Sequence, residues 1–218
     1  MGADTDFSPS LDAPNNRVLA FTDQGWQVAD LDQVWDLGRY PRNTINENPS
    51  NNFGLHFGKR MAERRSDRVV GIVLVTAPGQ SISHWDGNGD FFAQIRDKVS
   101  RAISDLPYKS KVDAILWHQG ESDGEDRDEY GNALFDLISD FRSEPWFEYG
   151  FPFICGETAS SPVNRQLQKL NSDNDPWTAC IEAEGLATMG DDAHFSAESL
   201  RTMGRRYADQ YLEMFLGG

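Results

Sequence analysis

Nine consecutive residues, Val69 to Ala77 (VVGIVLVTA), carry no charge and are mostly β-branched. A run like this has no polar face to turn toward water. It therefore reads as a strand buried on both faces, as occurs where helices cover a parallel sheet. Shorter apolar runs follow at Val112–Leu116, Phe151–Cys155 and Trp177–Ile181. Between and after them lie segments of helical period: Phe91–Ile103, Tyr130–Phe141, Val163–Leu170 and Ala197–Phe215. Strands alternating with helices predict an α/β fold, a doubly wound parallel sheet flanked by helices. Upstream, Arg17–Phe21 and Trp26–Val28 can pair as a hairpin, Asn43–Asn52 reads as a loop, and a helix begins at Phe53. No internal repeat or linker divides the chain, so residues 1–218 are expected to form a single domain. At 39% apolar content the chain is long enough to build one proper core.

The net charge of −15 argues against nucleic acid, whose phosphates need Lys and Arg, and against an anionic membrane surface. No apolar run approaches the roughly 18 residues of a bilayer span. The opening MGADTDFSPS is neither basic nor apolar and shows no signal peptide, which leaves the compartment unassigned. Cys155 and Cys180 sit in apolar runs and read as buried thiols. The four histidines, His56, His84, His118 and His194, have no metal-ligand spacing, and neither a metal nor a cofactor is expected.

Three segments carry chemistry. WHQGESD, Trp117 to Asp123, follows an apolar strand, and ligands of open α/β sheets bind at such carboxyl ends. There the Gln119 amide can donate to a developing oxyanion, and Glu121 can bind a sugar hydroxyl or brace a loop. The plain alternative is a connecting loop in which Gly120 makes the turn. DDAHFS, Asp191 to Ser196, places an aspartate three residues before His194, a spacing that lets the carboxylate orient an imidazole base. Alternatively it is a helix start capped by Ser196, with His194 incidental. APGQSISHW, Ala77 to Trp85, presents Ser81 after a strand, but it lacks the second glycine of a G-x-S-x-G nucleophile turn. Otherwise Gly79 only eases the backbone, and Ser81 and Ser83 cap the next helix.

Together these segments resemble the SGNH hydrolase superfamily, and within it the carbohydrate acetylesterases that include sialate O-acetylesterases and acetylxylan esterases. WHQGESD is similar to that group's W-x-Q-G-E block and DDAHF to its D-x-x-H-F block. The resemblance implies a three-layer sandwich of SGNH or flavodoxin type, and a serine esterase that removes O-acetyl groups from a carbohydrate. It implies Asp191 and His194 as triad members and Gly79 and Gln119 as oxyanion donors; Glu121, Trp85 and Trp117 stand beside them as candidate substrate-binding residues.

The family's nucleophile block, Gly-Gln-Ser-Asn after the first strand, has no counterpart here. Gly79 to Trp85 matches the second block instead, and Met1 matches the methionine that follows the first. Two expectations follow: a chain that begins after a lost nucleophile block has unpaired strand edges, keeps Ser81 only as part of an oxyanion loop and is inactive, whereas in a chain active as it stands Ser81 is the best nucleophile available. Two rivals stand beside the esterase. One is an inactive carbohydrate-binding relic. The other is a metal-dependent hydrolase using His118, Glu121 and Asp123.

Overall fold

The computed structural model describes residues 6–31, 35, 51–123, 127–147, 150–172 and 175–216. Most of the loop expected at Asn43–Asn52, and Met1 itself, lie outside them. The architecture is α/β, with parallel strands flanked by helices. The chain divides into two compact units: residues 1–78 with 185–209, and residues 79–184 with 210–218.

In the first unit, β1 (Val18–Thr22) and β2 (Gly25–Val28) form the expected antiparallel hairpin, and β3 (Val70–Ile72) pairs parallel to β1. The long apolar run is only partly a strand. Val69 is 58% exposed and residues 72–77 are half-buried. The expectation of burial on both faces fails here for a simple reason. Among the described residues β3 pairs with β1 alone, and Gly71 offers only backbone to the Trp26 ring packed against it. Helix α1 (Phe53–Arg64) starts where expected, with Asn52 accepting from the Leu55 N–H as its N-cap. Its buried face, Leu55 and Ala62, packs with Val18, Ala20, Ala29, Leu31 and Trp35.

One buried cluster was not foreseen. Arg201 donates through Nε and Nη2 to the Asp12 carboxylate at 2.9 and 2.6 Å, and His56 Nε2 lies 2.8 Å from it. Burial alone would raise the Asp12 carboxyl. Hydrogen bonds from Arg201, the Ser8 N–H and His56 outweigh it and hold the group well below the usual carboxylate range. Burial lowers the pKa of His56 against the pull of Asp12.

In the second unit, β4 (Ile115–Trp117), β5 (Phe153–Gly156) and β6 (Thr178–Ile181) are parallel in that order. Helix α2 (Asp90–Ser104) precedes β4, and α3 (Arg127–Ser143) and α4 (Asn164–Lys169) connect the strands, all within a few residues of the expected ranges. Phe92, Phe141, Phe153, Trp117 and Trp85 form a chain of ring contacts through this core. Cys155 and Cys180 are register partners, buried and free, and burial pushes the Cys155 thiol up. The final helix, α5 (Ala197–Leu216), starts in the first unit and ends in the second. No helix of the described residues is long and apolar enough to cross a membrane.

Candidate active site

The DDAHFS segment of the first unit folds as the spacing predicts. The Asp191 side chain turns back over its own loop. Oδ1 accepts the backbone N–H groups of Ala193 (3.2 Å) and His194 (2.8 Å), while Oδ2 lies 2.5 Å from His194 Nδ1. These bonds, led by the His194 backbone N–H, lower the Asp191 pKa to about 2. The carboxylate therefore stays ionised and holds a proton on Nδ1, leaving Nε2 as the basic nitrogen. Asp192 takes a left-handed φ of 59° and Gly190 one of 95°, which fold the loop tightly enough for this return. A bridge between Thr188 and Phe195 closes its base. Both side chains are 47% exposed. The capping alternative holds at the same time: Ser196 Oγ accepts the Ser199 N–H at 3.3 Å.

In the second unit the other two segments meet at one carboxylate. Asp123 Oδ1 accepts the Ser81 hydroxyl at 2.6 Å and the Ile82 N–H at 3.1 Å, and Oδ2 accepts the Gln119 amide. Gln119 Nε2 also donates to the Gln80 carbonyl at 3.0 Å. Both amide hydrogens thus have acceptors, which fixes the orientation of the side chain. Its Oε1 is buried with no hydrogen-bond partner among the described residues. Gly79, at φ 69°, makes the turn that brings Gln80 and Ser81 here, and a Cβ there would meet only open space. Ser81 is engaged a second time, because its Oγ accepts from the Ser83 N–H and caps the short 3-10 turn Ile82–His84.

The loop after β4 is braced from three sides. Tyr130 Oη donates to the Gln119 carbonyl at 2.9 Å and Ser161 Oγ to the Gly120 carbonyl at 2.8 Å. Gly120 is at φ 146°, and a Cβ there would lie 2.4 Å from Val163 Cγ2. His118 Nε2 lies 3.7 Å from Glu121 Oε1. Burial lowers the His118 pKa to about 4, partly offset by Glu121. Glu121 is partly exposed.

Trp85 and Trp117 are placed differently from the expectation of a sugar platform. They are 5% and 6% exposed and meet edge to face at 5.2 Å. Trp85 also packs on Phe91 and Trp117 on Phe153, so the ring faces are used by the core. The three residues of the metal rival do not converge, since His118 faces Glu121 whereas Asp123 faces Ser81, Ile82 and Gln119. No group of three or more His, Cys, Asp or Glu among the described residues is arranged to hold a metal. Sequence reasoning did not single out Asp123 as an anchor; its only signal was a carboxylate four residues beyond Gln119.

A family described as carbohydrate esterase, sialic acid-specific acetylesterase, matches residues 3–213. The chain belongs to this family. It is 26% identical over 220 residues to the probable carbohydrate esterase At4g34215 of Arabidopsis thaliana, covering 93% of this chain and 77% of that protein. The X-ray structure of the Arabidopsis thaliana protein AT4G34215 matches with a TM-score of 0.79 at 22% identity, over 96% of this chain and 86% of that one. That likeness shows a shared fold. Membership in this carbohydrate esterase family supports esterase activity on a carbohydrate ester.

Proposed function

We propose that the chain is a serine esterase of SGNH type, one domain over residues 1–218, that removes O-acetyl groups from a carbohydrate. A serine oxygen attacks the acetyl carbonyl while the His194 imidazole takes its proton. The tetrahedral intermediate collapses, the sugar oxygen leaves with the proton from His194, and acetyl remains on the serine. Water, deprotonated by His194, then attacks and releases acetate. Asp191 holds the tautomer and stabilises the imidazolium. The Gly79 N–H and the Gln119 amide donate to the oxyanion, and Glu121 accepts from a sugar hydroxyl. The observation that carries this reading is the 2.5 Å contact between Asp191 Oδ2 and His194 Nδ1, in a loop that orients the ring. Ser81 is the serine assigned as nucleophile.

One observation favours a second reading, a carbohydrate-binding relic without turnover. The Ser81 hydroxyl donates to Asp123 and caps a turn, which is structural work. Turnover of 4-nitrophenyl acetate and of acetylated xylan, with intact mass spectrometry after fluorophosphonate treatment, separates the two. Turnover and one adduct on Ser81 support the esterase with Ser81 as its nucleophile. No turnover and no adduct establish the relic. An adduct on another serine removes Ser81 from the mechanism.

A further inference from the structure

We propose that Asp123 is a positioning residue which holds the two oxyanion donors in register, and that it acts through Gln119. The inference rests on the esterase reading above and adds to it a carboxylate that need never touch substrate. Asp123 is bonded to both loops at once. On one side it accepts from Ser81 Oγ and the Ile82 N–H, directly after the Gly79 turn. On the other it accepts from Gln119 Nε2. Its own backbone is tied back by its N–H to the Gly120 carbonyl at 3.2 Å. One carboxylate thus sets where the Gly79 turn lies relative to the Gln119 amide.

The two bonds of Gln119 Nε2 are unequal. The one to Asp123 is charge-assisted; the one to Gln80 has a neutral carbonyl as acceptor. When negative charge develops on the substrate oxygen, the hydrogen facing Gln80 is the cheaper one to share. Asp123 keeps the other and so anchors the side chain while it donates. The amide cannot turn over instead, because its oxygen would then face two acceptors. Gln119 is 9% exposed, so water cannot readily replace Asp123 as the anchor.

Asp123→Asn isolates this link. The remaining oxygen of Asn can still accept from Ser81 and Ile82, whereas its new –NH2 faces the Gln119 –NH2, donor against donor. Two measurements test the idea on the whole chain. The first is the 15N side-chain amide spectrum, with the Gln119 signals assigned by their loss in Gln119→Ala. In the wild type one Gln119 proton should be shifted downfield and slow to exchange, and in Asp123→Asn it should move upfield and exchange faster. An unchanged signal overturns the proposal.

The second is a double-mutant cycle on 4-nitrophenyl acetate hydrolysis. Asp123→Asn should lower kcat about 10- to 100-fold, as expected of a displaced donor, with KM nearly constant. In the Gln119→Ala background the same change should cost less than about threefold. Independent, multiplying effects would mean that Asp123 acts other than through Gln119, by way of Ser81 or the fold, and so overturn the proposal. If Asp123→Asn does not fold, Asp123→Glu keeps the charge but displaces the carboxylate, and the same two outcomes apply. If the wild type hydrolyses no ester, the functional reading fails, while the amide spectrum still decides whether Asp123 holds Gln119.

Discussion

The Asp191–His194 pair and the Asp123–Gln119–Ser81 cluster both tie a carboxylate to polar side chains, by opposite means. Asp191 reaches a partner three residues away within its own turn, and both groups stay about half exposed. Asp123 joins Ser81, 42 residues earlier in the chain, to a Gln119 that is almost buried. The first depends on local backbone geometry, the second on packing. Exposed groups are free to exchange protons with substrate and water, which suits a base. Buried donors keep a fixed direction in a low dielectric, which suits charge stabilisation. If this division is right, damage to the first should cost activity and spare stability, and damage to the second should cost both.

The largest expected effect is at the base. His194→Ala should lower ester turnover about 1000-fold or more, because members of such a unit fail together. Its half-exposed ring supports no core, so the urea unfolding midpoint should stay where it is. A variant that keeps its turnover removes His194 from the chemistry. One that loses its fold shows that the exposed pair also supports stability.

Gly120→Ala tests the other half. At φ 146° any side chain is strained, and the added Cβ would sit 2.4 Å from Val163 Cγ2. Strain and overpacking together should cost roughly 3 kcal/mol in urea unfolding. Turnover should fall as well, since the displaced loop carries Gln119. Adding Val163→Ala should recover part of the stability by relieving the clash and leave the strain in place. A Gly120→Ala protein as stable as the wild type would mean that the loop yields easily, and so is no rigid donor mount.

What the sequence made legible follows the same line. The helices, the D-x-x-H loop and the Ser196 cap depend on neighbours within four residues and the hairpin on partners within nine, and all appear close to where periodicity and spacing put them. The strands shift by one to three residues, as at β4, because what ends a strand is pairing with a distant one. The run Val69–Ala77 misleads for that reason: composition asks for an interior strand, but β3 has one partner strand among the described residues. Trp85 and Trp117 look like binding aromatics in a loop sequence, yet their contacts with Phe91 and Phe153 draw them into the core. The roles of Asp123 and of the Asp12–Arg201 pair were not legible, since the partners are 42 and 189 residues apart.

pH offers a milder probe of the buried unit. Burial lowers the His118 pKa to about 4, against about 6.5 for an unfolded histidine. Between these values the unfolded chain binds a proton that the folded one refuses. Stability therefore falls as pH drops from about 6.5 to 4, by roughly 3 kcal/mol in all for this group. His118→Gln should flatten that part of the curve, measured by urea unfolding at half-unit pH steps. The wild-type slope surviving in the variant would place its origin elsewhere, with His56 next to examine because its pKa is also lowered. Asp191 acts at lower pH. Its depressed pKa means that any contribution is present above about 4 and lost as pH falls toward 2, and as an exposed group it should contribute little.

The smallest effect expected is at Ser196, where the exposed loop joins α5. Its hydroxyl accepts the Ser199 N–H and donates to Ser199 Oγ, which in turn donates to the Ala187 carbonyl on the far side of the loop. Ser196→Ala removes the cap and should cost about 1 kcal/mol of stability. The Asp191 bonds lie within the turn itself and do not pass through Ser196, so His194 should keep its orientation and turnover should hardly change. A large loss of activity with this small loss of stability would show that the dyad depends on the helix start for its geometry. The exposed pair would then be held by packing after all, as the buried cluster is, and the distinction between the two would narrow to exposure alone.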